Sequence, residues 1–560
     1  MKLERYKSIF LLISLVIILA ACSDNDEETS SVIDESTGED VEHGEIVRDI
    51  VINSSTQEAN RQNYEAALMM QTQWEELGMN VSVEPLEFNT LTGRLYGDSQ
   101  EFDVYTIGWS GRVERIDPDM FLYSIFHSSN TEPGGNNTTG YSNPAYDELA
   151  DAQRKEMDPD ERREIVFEAQ QMLADEAPLI TLYARDLYHA YNHERFTNMN
   201  AMPGEGIFSE WMPMDAEPLT DDATLRIASI HDLDTLNPLA ANSVYEWRNL
   251  RLIYDKLIRL TPEGEPEPWA AESWDIVDDT TIDVTVRDGM NFHDGEPVTV
   301  EDVAFSYEYM IDWEVGYFLA FLNPIDTVEI VDDNTVRFTL NEPYAPFINN
   351  TLAQIPILPK HIWETIVEDE GLNHPEEFNN DEVIGSGPFT FEVWRRGEEL
   401  RTARFDDHFY DVNIDGYIVD LYSQNEGVMT ALETGDVDTN GEQFIPAHIN
   451  QAESLAHLEM IEVPDIGYQY VSFNTRLEPF DDTAFRQAIA HTIDFDEILD
   501  VHLEGFGQRG GSGLVINEAN EFWHNPDVER PEFDPERARE ILSDAGYTWD
   551  EDGRLRMPNN

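Results

Sequence analysis

Two hydrophobic periods alternate along the chain. In Thr224–Ala228, Thr281–Val286 and Thr335–Leu340 apolar and polar residues take turns, the period of a strand with one face buried and the other in water. Elsewhere apolar residues recur three and four positions apart. Ala66, Met69, Met70, Trp74 and Leu77 lay one apolar stripe along a helix over Asn63–Leu77. A second helix is predicted over Asp160–Ala174, entered through Asp158-Pro159, a capping side chain followed by a proline whose missing N–H costs nothing in a first turn. A third, Pro535–Ala545, stops at Gly546. Short strands interleaved with amphipathic helices predict an α/β fold. The body of the chain is too long for one core, so two or more domains are expected. No internal repeat relates its halves.

The first 45 residues follow neither pattern. Lys2, Arg5 and Lys7 precede an apolar run, Ser8–Ala21. A membrane-spanning helix needs about 20 apolar residues, so this shorter run reads as a signal peptide, residues 1–21. Its end, Leu19-Ala20-Ala21-Cys22, resembles a bacterial lipobox. Cys22 is therefore expected to carry a diacylglycerol anchor, the rival reading being a chance cysteine beside an ordinary cleavage site. Residues 22–45 are acidic and rich in Ser and Thr, too polar to bury a core, and read as a flexible tether. Cys22 is the only cysteine, which leaves no disulfide to form.

Charge narrows the setting. The chain carries 114 acidic and 34 basic residues, a formal net charge of −80. Self-repulsion of this size opposes a compact state unless salt screens it. The excess is spread along the whole sequence, while 41% hydrophobic and 11% aromatic residues supply a core. A folded protein suited to a saline exterior is expected rather than a disordered acidic one. With no basic patch to meet phosphates, nucleic acid is excluded as a partner. Anionic membrane surfaces would repel the chain, which leaves a covalent lipid of two or more acyl chains as the sensible anchor.

From Asp221 onward short motifs follow one another: Leu236-Asn237-Pro238, Ala270-Ala271-Glu272-Ser273-Trp274, Phe292-His293-Asp294-Gly295, and Ile384-Gly385-Ser386-Gly387-Pro388-Phe389. Ala431–Asp438, Phe473-Asn474-Thr475 and Phe485-Arg486-Gln487-Ala488-Ile489 come after them. Their order and spacing resemble the peptide/nickel class (family 5) of solute-binding proteins of ABC transporters. Residues 45–212 resemble the same family's C-terminal portion, through Trp109-Ser110-Gly111, Asp117-Pro118-Asp119, Gly140-Tyr141-Ser142-Asn143-Pro144 and Pro178–Tyr183. In the family those motifs follow the Phe-Asn-Thr segment, whereas here they precede it. The two stretches complement rather than repeat each other, so a circular permutation is expected, with Arg556 and Val47 on neighbouring strand positions. The rival is a fusion of two incomplete genes.

The resemblance implies a two-lobed, type II periplasmic-binding-protein-like α/β fold closing on its ligand. Residues 46–215 would be the family's C-terminal portion, mostly lobe II and returning to lobe I after about 178. Residues 216–222 would join the ancestral termini, 223–465 would form lobe I, and 466–560 the first part of lobe II. It implies a monomeric, non-enzymatic receptor for a peptide or similar small polar solute, without cofactor or metal, delivering to separate ABC permease subunits. The other class of reading is a sensory or structural extracellular lipoprotein that keeps the lobes without import.

Candidate ligand contacts are Trp109, Ser110, Gly111, Arg112, Glu114 and Asn474. Trp109 matches a tryptophan that lines the family's cleft, with a core tryptophan as the rival. Peptide-binding relatives place an Asp near position 112 for the α-ammonium, whereas Arg112 here would grip a carboxylate or pair with Glu114 or Asp117. Asn474 would touch ligand or cap its own turn. Arg486 and Asp494 read as helix anchors, and Gly385 and Gly387 as a tight turn near the hinge. His293-Asp294 reads as a turn rather than a metal pair, and His189 and His193 as part of a strand. The sequence offers no nucleophile elbow and no phosphate-cradling loop.

Overall fold

The computed structural model of the chain describes residues 44–97 and 99–559, apart from the side chain of Glu114. The signal peptide, Cys22 and nearly all of the tether lie outside the described residues.

The predicted elements form where their periods place them. Thr224–Ser229, Thr281–Val286 and Thr335–Leu340 are strands. The helix at Arg61–Glu76 is capped by the Asn60 side chain on the Asn63 N–H and buries Ala66, Met69, Met70 and Trp74. Asp158 caps Pro159–Glu176 through the N–H groups of Asp160 and Glu161, satisfying donors that have no partner inside the helix. Pro535–Asp544 ends before Gly546, whose φ of +92° suits glycine.

Two large mixed sheets organise these elements. In lobe II the order is Val81–Leu86, Ile50–Ser55, Val104–Trp109, Tyr468–Phe473, Leu179–Ala184, Gln508–Ser512. Its first three strands are parallel and the rest antiparallel. Helices cover both faces: Met70, Trp74, Ile489 and Leu542 share one apolar cluster, Tyr146, Val166 and Leu173 another. In lobe I the order is Phe389–Arg395, Glu399–Arg404, Gly416–Leu421, Thr224–Ser229, Thr439–Asn440, Asp186–Asn192, Leu458–Pro464. A separate four-stranded antiparallel sheet, containing Thr281–Val286 and Thr335–Leu340, packs into the lobe I core.

Two connections carry the chain between the sheets. Leu179–Ala184 passes through Arg185 into Asp186–Asn192, and Leu458–Pro464 passes through Asp465, Ile466 and Gly467 into Tyr468–Phe473. Both are too short to be anything but a tight two-stranded crossing, the form a hinge takes.

Several motif residues are structural. Asn237 donates to the carbonyls of Pro375 and Phe378, at 2.9 Å each. Phe292–Gly295 is a turn closed by the Gly295 N–H on Phe292 O at 2.9 Å, with Asp294 bound to His361 at 2.8 Å. Arg486 donates to Phe480 O and Glu176 O, and Asp494 caps the turn at Glu497. His189 lies in the strand Asp186–Asn192 and His193 just beyond it. Gly385 and Gly387 are not at the hinge. They lie against the Leu252–Ile253 backbone, where a Cβ on Gly385 would stand 2.0 Å from Ile253 O.

Candidate functional site

The strand Val104–Trp109 ends beside the crossing, because Trp109 pairs with Tyr468 at the start of its neighbour. The backbones meet closely here: a Cβ on Gly467 would stand 2.4 Å from Trp109 O and from the Gly111 N–H nitrogen. Glycine at 467 and 111 is what lets the loop after Trp109 fold across the hinge. A Cβ on Gly111 would collide with Asp465 Oδ1 and with Gly204 of lobe I.

That loop reaches into lobe I. Val113 and Ile116 are buried in the lobe I cluster, and the Val113 N–H donates to Glu205 Oε1 at 3.1 Å. Trp109 is half-buried, with the Arg115 guanidinium 5.2 Å from its ring centre. Arg115 also donates to Ser110 O and Ser110 Oγ. Ser110 is exposed and Arg112 half-buried. Trp109, Ser110, Gly111 and Arg112 are therefore brought together at one place, while the Glu114 side chain lies outside the described residues. Asn474 is not brought there. It sits just past Phe473, which pairs with Val104 at the far end of the same strands. Its amide donates to Phe102 O at 3.0 Å and its carbonyl accepts the Arg476 N–H at 3.3 Å, which makes it a turn residue.

Lobe I presents a small cavity of about 20 Å3 at the carboxyl end of Thr224–Ser229, lined in part by His231, Asp232, Tyr245, Arg248 and Trp394. The crevice outside strand carboxyl ends is where open α/β sheets place ligands. His231 stacks on Tyr245 with ring centres 4.1 Å apart. Trp394 Nε1 donates to Asp232 Oδ1 at 3.0 Å, so that carboxylate is engaged within lobe I. Nothing in the sequence singled out these residues. The readable signals were Ser243 and Glu246, a capping box that opens the helix Val244–Ile253 and so orients Tyr245 and Arg248.

Lobe I also holds a buried ionic cluster. Glu205 pairs with Arg251 at 3.4 Å. Glu210 lies 3.3 Å from Lys256 and 2.5 Å from Arg259, and Arg259 stacks over Trp269 at 4.3 Å. Burial works against the Glu210 charge, yet Lys256 and Arg259 outweigh it and hold the carboxyl at about 2. Burial lowers Lys256 to about 8. At the hinge, burial raises Asp465 to about 6, against N–H donation from Gly467 and Gly111 and the charges of Arg185 and Arg115.

Two lobes are thus joined by two short crossings, with the loop after Trp109 reaching from one to the other. The family model described as bacterial extracellular solute-binding proteins, family 5 (middle) matches residues 28–133 and 265–560, more than half of the chain. The chain belongs to this family. Members of this family are solute-binding proteins by the description of its model. It is 29% identical over 272 residues to oligopeptide-binding protein AppA of Bacillus subtilis, covering 47% of this chain and 48% of that protein. It is 27% identical over 316 residues to di/tripeptide-binding protein 3 of Pseudomonas aeruginosa, covering 52% and 58% respectively. The chain thus spans about half the length of the curated relatives it matches. The solved structure of Bacillus subtilis AppA in complex with a nonapeptide aligns with a TM-score of 0.46 at 24% identity, over 59% of this chain and 67% of that one. The family is extracellular, and among the described residues no helix is long and apolar enough to cross a membrane.

Proposed function

We propose that this solute-binding protein is the lipid-anchored, extracytoplasmic receptor of an ABC import system. It captures a peptide or similar small polar solute between its lobes and hands the closed, loaded form to a permease. The observations that carry this are the family match and the two-strand crossing, over which the loop after Trp109 reaches Gly204 and Glu205 of lobe I. A solute touching both sides is bound better by the closed form than by the open one, and that difference drives closure. The peptide class follows the names of the relatives, AppA and di/tripeptide-binding protein 3. The anchor is Cys22, and the receptor acts as a monomer.

The order of segments is a permuted one, with lobe I over 223–465, lobe II from 466–560 and most of 46–215, and a junction at 216–222. Pairing between the two stretches supports this. Ile46 faces Arg556 in an antiparallel bridge, the Val47 N–H donates to Leu555 O at 2.9 Å, and the Met557 N–H to Glu45 O at 2.8 Å. Residues 44–47 and 555–557 lie side by side as the two arms of one hairpin do.

The test is a melting-temperature screen in high salt against di- and oligopeptides, oligosaccharides, opines and nickel chelates. A ligand at 100 times its dissociation constant adds about 2.7 kcal/mol. A clear rise with at least one solute is expected; no rise with any of them would remove the receptor reading.

A further inference from the structure

The lobes also touch on segments that belong to neither crossing. The helix Pro144–Lys155 of lobe II ends against the loop that follows the lobe I strand Thr335–Leu340. There the Ala345 N–H donates to Arg154 O at 2.6 Å, satisfying one of the carbonyls left free at a helix end. Lys155 Nζ lies 3.1 Å from Glu342 Oε2. Beside these bonds the Arg154 guanidinium sits between two rings, 3.9 Å from the centre of Tyr123 and 5.0 Å from that of Tyr344. Tyr123 packs on a lobe II cluster, whereas Tyr344 is buried in the cluster of lobe I. One cation thus touches an aromatic face from each lobe.

Lobe II alone holds Arg154 in place. Asp119 Oδ1 lies 3.1 Å from Arg154 Nε and accepts from Gln153 Nε2 at 2.8 Å. Gln153 Oε1 in turn accepts from Arg162, whose fork meets the two oxygens of Asp117 at 2.8 and 2.7 Å. Asp117-Pro118-Asp119 therefore anchors a network confined to lobe II, and that network ends in the cation presented to Tyr344. A side chain fixed beforehand loses little freedom when it meets its partner.

The two side-chain ties answer differently to salt. Lys155 and Glu342 are 48% and 63% exposed at their side chains, and a pair so open to water is weak and screened. Arg154 is 26% exposed, and a partly desolvated cation on a ring shifts an equilibrium by about two- to thirtyfold. At a net charge of −80 the lobes repel each other, which opposes closure. We infer that Arg154 and Tyr344 form a clasp that holds the lobes closed without a solute. Part of the free energy of closure is then supplied by the chain itself, in high salt as well as low. The clasp does not depend on which solute the protein takes.

The test uses the solute-free protein in high salt. A carbodiimide joins an amine and a carboxylate that are in contact, taking up the water released. Lysine occurs only at positions 2, 7, 155, 256 and 360, so peptide mass spectrometry identifies a Lys155–Glu342 link without ambiguity. The wild type is expected to form it. Two variants remove the clasp: Tyr344→Leu, which keeps an apolar side chain in the lobe I core, and Arg154→Met with Asp119→Asn, which removes the cation together with its carboxylate. In each, the link yield is expected to fall at least twofold, and the radius of gyration from X-ray scattering to rise. Lys155→Gln loses the link but is expected to keep the wild-type radius, because the arginine and not the exposed pair holds the lobes. Circular dichroism establishes that each variant is folded. Folded clasp variants with the wild-type radius and yield would overturn the clasp, as would a Lys155→Gln protein as expanded as they are. If neither clasp variant folds, the wild type decides: absence of the link overturns the clasp, and its presence without solute supports it.

Discussion

The backbone N–H of Asp465 donates to the carbonyl of Arg185 at 3.0 Å, tying together the two stretches of chain that pass between the lobes. Asn517 reinforces the tie by donating to Asp465 O at 2.8 Å and to Gly467 O. Hinge motion has to pivot about these few backbone bonds.

The Asp465 carboxyl gives the first prediction. Burial raises it from 3.8 to about 6, so the folded chain holds this proton over a range where the unfolded chain has released it. Its contribution to stability therefore falls as pH rises from about 4 to about 6 and stays low above. Asp465→Asn keeps the acceptor for the Gly467 N–H and removes the charge. It is expected to be more stable than wild type at pH 7 by on the order of 2 kcal/mol, the gain vanishing by about pH 4. Urea midpoints across that range decide it, and a gain independent of pH would count against the assignment.

Glu210 has the opposite sign. Its carboxyl is held at about 2 against an ordinary 4.5, so its contribution is fully present above the unfolded value and is lost as pH falls towards the folded one. Glu210→Gln strands Lys256 and Arg259 in the core and is expected to cost roughly 3–5 kcal/mol at neutral pH. The loss should shrink under acid. Equilibrium unfolding of both proteins at pH 7 and near pH 3 makes the comparison.

Ile46 and Arg556 face each other across a pair that is not itself hydrogen-bonded, since the flanking bonds run from Val47 and Met557. Such pairs bring Cα atoms to about 4.5 Å, within disulfide reach. In a Cys22→Ser background, Ile46→Cys with Arg556→Cys should oxidise readily to an intramolecular bridge, seen as a reductant-sensitive mobility shift. The permuted order adds that a chain rejoined from 559 to 44 through a short turn, and opened within 216–222, folds and binds the same solutes. Failure of the rejoined chain to fold would argue for a different origin.

Salt should stabilise the protein steeply. At a net charge of −80, raising ionic strength from about 0.1 M to 1 M shortens the screening length from roughly 10 Å to 3 Å. The melting temperature is expected to climb through this range, and to do so with chloride salts of different cations. A flat profile would remove the case for a saline habitat.

The local elements were legible because each depends on residues close in sequence. The stripe through Met70 and Trp74 and the Asp158-Pro159 entry needed no tertiary information. Site residues divided by the same criterion. Trp109 through Arg112 form one contiguous string that folds at one hinge, so a motif could find them. Asn474 belongs to an equally recognisable motif but lies at the other end of a strand pair, and only register separates those ends. Arg248 and Tyr245 escaped because a helix with a cation and an aromatic on one face is ordinary until the strands that complete the cavity beside it are in view. The Glu205–Arg251 and Glu210–Arg259 pairs cannot be picked out among 114 acidic residues, since nothing about their spacing marks them as buried.

The pairing of 44–47 with 555–557 also sets how the molecule bears a load. A pull on the residues before Gly44 acts first on the bonds at Glu45 and Val47, which open one after another like a zip and yield at low force. The next resistance is the strand Ile50–Ser55, held on both sides by parallel neighbours whose bonds must break together in shear. Tension from a membrane tether would thus be absorbed by a short give in the outer pair, leaving the hinge and the cleft beyond it undistorted.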